Sequence, residues 1–116
     1  MSDLHVSGMA IAPSVVETIV AMAARDVDGV ASLAVDAPSG LWGLLTGDKS
    51  ANQGIAVDVD ENDKLHVDVR IDVKSGYMLP DVAADVRRAI ADAIAMQVGI
   101  ETGSVDVFID GIQFDE

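Results

Sequence analysis

The sequence predicts an α+β fold of two layers, with two helices packed on one face of a mainly antiparallel sheet of three to four strands. Three observations carry this prediction. Residues 65–74 alternate strictly between apolar and polar, the mark of a strand with one buried and one wet face. Residues 13–27 and a stretch from Pro80 to Gly99 repeat apolar residues at helical spacing, each with a proline at its start. Two helices with one apolar face each, and a sheet with one apolar face, bury those faces only against each other. The predicted order is (β)-α-β-β-α-β.

Each element follows from local chemistry. Val6 to Ile11 is a short strand or an extended lead-in. Pro13 suits the first turn of a helix, where its missing N–H is not needed. Ser14 and Glu17 have capping-box spacing and offer a competing start. Val16, Ile19, Val20, Ala23, Val27 and Val30 form the apolar stripe, and Gly29 is the stop signal. Residues 34–54 read as a connection, with Pro38, Gly40, Gly43, Gly47 and Gly54 along it. Ile55, Val57 and Val59 open a hairpin that reverses over 60–64 and returns through Leu65, Val67, Val69, Ile71 and Val73. His66, Asp68, Arg70, Asp72 and Lys74 then share the wet face. In the second helix Val82, Val86, Ile90, Ala93 and Ile94 form the stripe, and Asp85 has a favourable spacing to Arg88. Val105, Val107 and Ile109 alternate as a last strand that Ile112 and Phe114 continue after Gly111.

Composition narrows the function. With 116 residues, half of them hydrophobic, the chain has the material for one domain over 1–116 with a core of its own. There is no cysteine, which removes thiolate chemistry and Cys-type zinc sites and fits a reducing cytoplasm. No basic segment followed by an apolar run opens the sequence, and no apolar stretch approaches the length of a membrane span, so neither a signal peptide nor direct membrane insertion is expected. Seven basic residues face twenty acidic ones, a net charge of −13, which disfavours nucleic acid and anionic membrane surfaces as partners.

The scan for chemistry yields no catalytic, cofactor or metal residues to nominate. No phosphate-binding glycine motif is present. His5 lies in an end expected to fray, and His66 could act as a base only by pairing with Asp68, two residues along the same face. Asp58, Asp68, Asp72, Asp106 and Asp110 share the open sheet face and could hold a hard cation, but Arg70 and Lys74 stand among them, and a solvated surface is the plainer reading. Protein contact has better candidates. Leu41, Trp42, Leu44 and Leu45 form an apolar cluster inside the long connection, and Phe108 should stand on the wet face.

These residues also carry a resemblance. Gly8-Met9-Ala10-Ile11-Ala12-Pro13, then Val16, Ile19, Ala23 and Ala24, then Asp26-Val27-Asp28-Gly29-Val30, resemble the opening of the alkaline shock proteins, the envelope stress response family of Gram-positive bacteria. Gly54-Ile55, Val69-x-Ile71-x-Val73, Gly76-Tyr77-x-Leu79-Pro80, Met96-x-x-Gly99-Ile100 and the closing run from Val105 to Phe114 extend it over nearly the whole chain. Met9 and Ala12 depart from the family's usual Ile and capping Ser or Thr. The resemblance implies a non-enzymatic cytoplasmic protein of envelope homeostasis and stress, without cofactor, that self-associates and in some cases is held at the membrane by an anchored partner of related sequence. Two other classes stand beside it. A KH-like nucleic-acid module fits the element order but lacks the GXXG clamp and the charge. A small enzyme or a ligand- or metal-binding domain would depend on His66 and the aspartates.

Overall fold

The computed structural model describes residues 3–6, 8–33 and 54–114. Its elements are β1 (Leu4–Val6), β2 (Met9–Ile11), α1 (Pro13–Arg25), β3 (Val30–Leu33), β4 (Ile55–Val59), β5 (Leu65–Lys74), α2 (Leu79–Gln97) and β6 (Thr102–Gln113). The α+β order holds, with two short strands beyond it. The lead-in is a small antiparallel hairpin of β1 and β2, turning at Gly8, whose φ of 80° favours glycine. His5 belongs to this hairpin rather than to a frayed end. The residues after Gly29 form β3, of which the sequence reading placed only Val30, at the end of the helical stripe.

β5 organises the main sheet. Along one edge it pairs antiparallel with β4 through Leu65 to Val69 and with β3 through Ile71 to Val73. Along the other edge it pairs in parallel with β6 over its full length. That parallel pairing follows from α2, which connects β5 to β6 as a crossover helix. The sheet is therefore three strands wide at any height, although four strands build it.

The two helices cover one face. Leu65, Val67, Val69, Ile71 and Val73 of β5 point under them and are fully buried. They meet Val16, Val20, Ala21 and Ala24 of α1 and Val82, Val86, Ile90 and Ile94 of α2 in one core cluster. Every fully buried side chain among the described residues is hydrophobic. Pro13 sets the start of α1. The N-cap is Ala12 without a side-chain hydrogen bond, and Ser14 lies inside the helix, where its carbonyl accepts a bond from the Thr18 hydroxyl. Gly99, at φ 84°, ends α2 by donating its N–H to the Ile94 carbonyl. Gly29 beyond α1 abuts Tyr77 and Val82 at the start of α2, so the helices run antiparallel, side by side.

Candidate functional site

The open face of the sheet is built from the even-numbered residues of β5. His66, Asp68, Arg70, Asp72 and Lys74 lie opposite Ser104, Asp106, Phe108, Gly111 and Gln113 of β6. The register skips Gly103 and Asp110, so each is the extra residue of a bulge. Both bulges sit beside a polar contact.

At the first, Gly103 lies against the His66 ring, and a Cβ there would stand 2.6 Å from its Cε1. The ring is held from both sides. Its Nδ1 is 2.8 Å from the Ser104 hydroxyl and its Nε2 is 2.7 Å from Asp60 Oδ2. Asp60 is itself fixed, because its Oδ1 accepts the N–H groups of Asn62 and Lys64 in the hairpin turn. The hydrogen bond from His66, followed by that from the Lys64 N–H, holds the Asp60 carboxyl below the ordinary aspartate range. The expected pairing of His66 with Asp68 does not form. The turn brings Asp60 back to the imidazole, while Asp68 stands opposite Ala56 and Asp106. Asp60 and Ser104 went unnoticed in the sequence. The turn position of Asp60 was the available signal, whereas Ser104 is 38 residues from His66 and only the parallel pairing joins them.

At the second bulge, Asp110 turns towards Arg70, whose Nη1 donates to Oδ1 at 3.0 Å. The same guanidinium lies 4.9 Å from the centroid of the Phe108 ring. Phe108 is on the open face, 42% exposed, as its place in the alternation required. The five aspartates do share this face, and Ser32 donates to Asp72 at 3.5 Å. Among the described residues they do not converge into a group of three able to hold a metal ion. Leu41, Trp42, Leu44 and Leu45 lie outside the described residues.

The helical layer carries a second feature, absent from the sequence reading. Between α1 and α2 runs an open groove of about 370 Å³, lined by Ile19, Met22, Ala23 and Asp26 on one side and Ala89, Ala93, Met96 and Gln97 on the other. Met22 and Met96 are 60% and 85% exposed on its walls. No helix among the described residues is long and apolar enough to cross a membrane.

A model of the alkaline shock protein 23 family, described as having a cell envelope-related function, matches residues 3–114. The chain belongs to this family. The protein YqhY of Bacillus subtilis (strain 168) is 33% identical over 113 residues, covering 97% of this chain and 82% of that protein. Spy1535 of Streptococcus pyogenes serotype M6 is 20% identical over 112 residues, covering 97% and 84%. Among solved structures, two MamM CTD variants superimpose with TM-scores of 0.49 and 0.47, both at 16% identity. They cover 89% and 88% of this chain and 95% and 96% of theirs. Family membership fits the elements that carried the resemblance: the lead into Pro13, the turn at Gly29, the β5 alternation and the β6 close.

Proposed function

We propose that this alkaline shock family chain acts without catalysis, as a protein-association module in envelope homeostasis and the envelope stress response. In this reading it is cytoplasmic, needs no cofactor, self-associates in scaffold-like assemblies, and reaches the membrane through an anchored partner of related sequence. The observation that carries the reading is the placement of its exposed apolar groups. Phe108 stands on the open sheet face and Met22 and Met96 on the helix pair, in surfaces suited to macromolecular contact rather than to enclosing a small substrate. The acidic surface supports the same choice, since it disfavours phosphate backbones and anionic lipids as partners.

Affinity capture from native membranes and cytosol tests this, with Trp42→Ala and Phe108→Ala chains alongside. Envelope proteins should be retained by the native chain, and less by at least one variant. Retention of nucleic acid, or of no envelope protein, would overturn the reading.

One observation favours a second reading. Asp60, His66 and Ser104 are hydrogen-bonded in the order of a hydrolase triad, though with the ring nitrogens exchanged, Ser104 on Nδ1 and Asp60 on Nε2. In the association reading the same bonds tie the β4–β5 turn to β6. A fluorophosphonate probe separates the two: a Ser104-dependent adduct establishes the enzyme, and a chain left unlabelled establishes the tie.

A further inference from the structure

The sheet ends at β6 with an open edge. Leu65 N–H donates to Glu101 at one end of the β5–β6 ladder, and Ser75 N–H donates to Gln113 at the other. In a parallel ladder, alternate residues of a strand bond to the same neighbour. In the observed register Ser104, Asp106 and Phe108 therefore direct their N–H and C=O groups to β5, and those of Val105, Val107 and Ile109 point away from it. No strand among the described residues meets them. The strands on the opposite side of the sheet, β3 and β4, are four and five residues long, whereas β6 has twelve.

A long strand with unpaired backbone groups is a template for any extended chain that reaches it, and proteins blunt such edges with lysine, proline or a covering element. From Thr102 to Gln113 there is neither lysine nor proline, and the only charges are Asp106 and Asp110. Asp110 is engaged with Arg70. Asp106 stands opposite Asp68, and neither forms an ion pair among the described residues. These carboxylates turn away one class of partner. A second copy pairing antiparallel about Phe108 would bring Asp106 of each chain near Asp110 of the other, between two chains of net charge −13. A cationic strand meets attraction at the same positions.

We infer that the outer edge of β6 is a docking site for an extended cationic segment of a partner protein, which joins the sheet as a further strand. This rests on the association reading above and gives it a surface and a partner chemistry. A strand laid along β6 turns every second side chain to the open face, beside Asp106 and Phe108. Lysine or arginine there finds both a carboxylate and the face of an aromatic ring. The intervening side chains turn to the helical side, beside Val107 and Ile109, which are only partly buried, and Ile112, which is 44% exposed. Apolar residues suit those positions. The recognised pattern is therefore basic and apolar in alternation. Main-chain hydrogen bonds supply affinity whatever the sequence, and the two faces supply selectivity.

The probe is a synthetic peptide of alternating lysine and valine, about nine residues long. Titrated into the full-length chain it should bind with a Kd below about 1 mM, and an alternating glutamate–valine peptide should not bind. On binding, the amides of Val105, Val107 and Ile109 should exchange with deuterium at least about tenfold more slowly. Val107→Pro removes one outward donor and no bond to β5, so it should keep the fold and weaken binding at least about tenfold. Asp106→Lys, which alters no backbone group, should do the same through charge. Ala93→Glu, in the helical groove, should have no effect. Failure of the lysine–valine peptide to bind overturns the inference. So does binding that leaves the three amides unprotected, or that survives either β6 substitution. Protection of the same amides on concentrating the chain alone assigns the edge to a second copy, and overturns it as well. In the capture experiment, envelope proteins retained equally by the native, Val107→Pro and Asp106→Lys chains overturn this edge and leave the association reading standing. A chain that binds the peptide and captures no envelope protein overturns that reading and leaves the edge standing.

Discussion

At the scale of single residues, the contacts around His66 show how one strand position is specified. The ring is flanked by the hairpin turn on one side and by β6 on the other, and Gly103 leaves room for it. Gly103→Ala should push the ring out of plane and lose one or both of its hydrogen bonds, at about 1 kcal/mol for each in denaturant unfolding. The Asp60 carboxyl is held low in the folded chain, so its contribution to stability is complete above the unfolded aspartate value, about 3.9. That contribution is lost as the pH falls below it towards the folded value. Asp60→Asn should therefore flatten this part of the acid limb of a stability-against-pH curve. Gly29 is a stricter position. Its φ of 94° suits glycine, and a Cβ there would stand 2.8 Å from both Tyr77 Cδ2 and Val82 Cγ2. Gly29→Ala should cost about 2–4 kcal/mol by thermal or chemical unfolding, from backbone strain and overpacking together. The sequence placed Gly29 as a helix stop but gave no sign of the aromatic ring lying across it, which is a contact made 48 residues away.

At the scale of elements, the helices and β5 were legible because periodicity alone determines which residues turn inward. Val82, Val86, Ile90 and Ile94 are four turns of one stripe, and all four are buried. Ile90→Ala should cost about 2–5 kcal/mol, whereas Met96→Ala on the outer side of the same helix should change stability little, as urea titration would show. β3 was not legible. It is four residues long, its Ala31 and Ser32 carry little strand preference, and its register with β5 shifts between Val30 and Ser32. Its partner lies some forty residues on, so no local pattern marks it. The direction of β6 was likewise hidden. Alternation gives the faces of a strand but not whether its neighbour runs with or against it. That parallel pairing brings Asp68 opposite Asp106 and Ser104 opposite His66, so the constellations of the open face depend on the one relation that periodicity does not encode. Like charges directly across a ladder are unfavourable. Asp106→Asn should stabilise the chain by about 0.2–1 kcal/mol, measured at low salt, with the gain shrinking as salt is added.

At the scale of the whole molecule, exposed apolar groups stand on both outer faces, Met22 and Met96 on the helices and Phe108 on the sheet. The helical layer carries the groove and its methionines, with Asp26 in the lining, and the open sheet face carries five aspartates around Arg70, Lys74 and Phe108. The two-layer arrangement sets which surfaces a partner can reach. It also bears on what holds the molecule together. β5 is paired along both edges, by β3 and β4 on one side and β6 on the other, and its inward side chains are sealed beneath both helices. Its amide hydrogens point alternately to the two edges, Leu65 N–H to Glu101 on the β6 side and Arg70 N–H to Gly54 on the β4 side, so neither set lies on an open edge. In deuterium exchange the amides of Val67, Val69 and Ile71 should be the last to disappear, at a rate set by complete unfolding, while the β1–β2 hairpin exchanges by a local opening of far smaller cost. The chain's slowest clock is thus kept by the strand whose period-two pattern was plainest in the sequence.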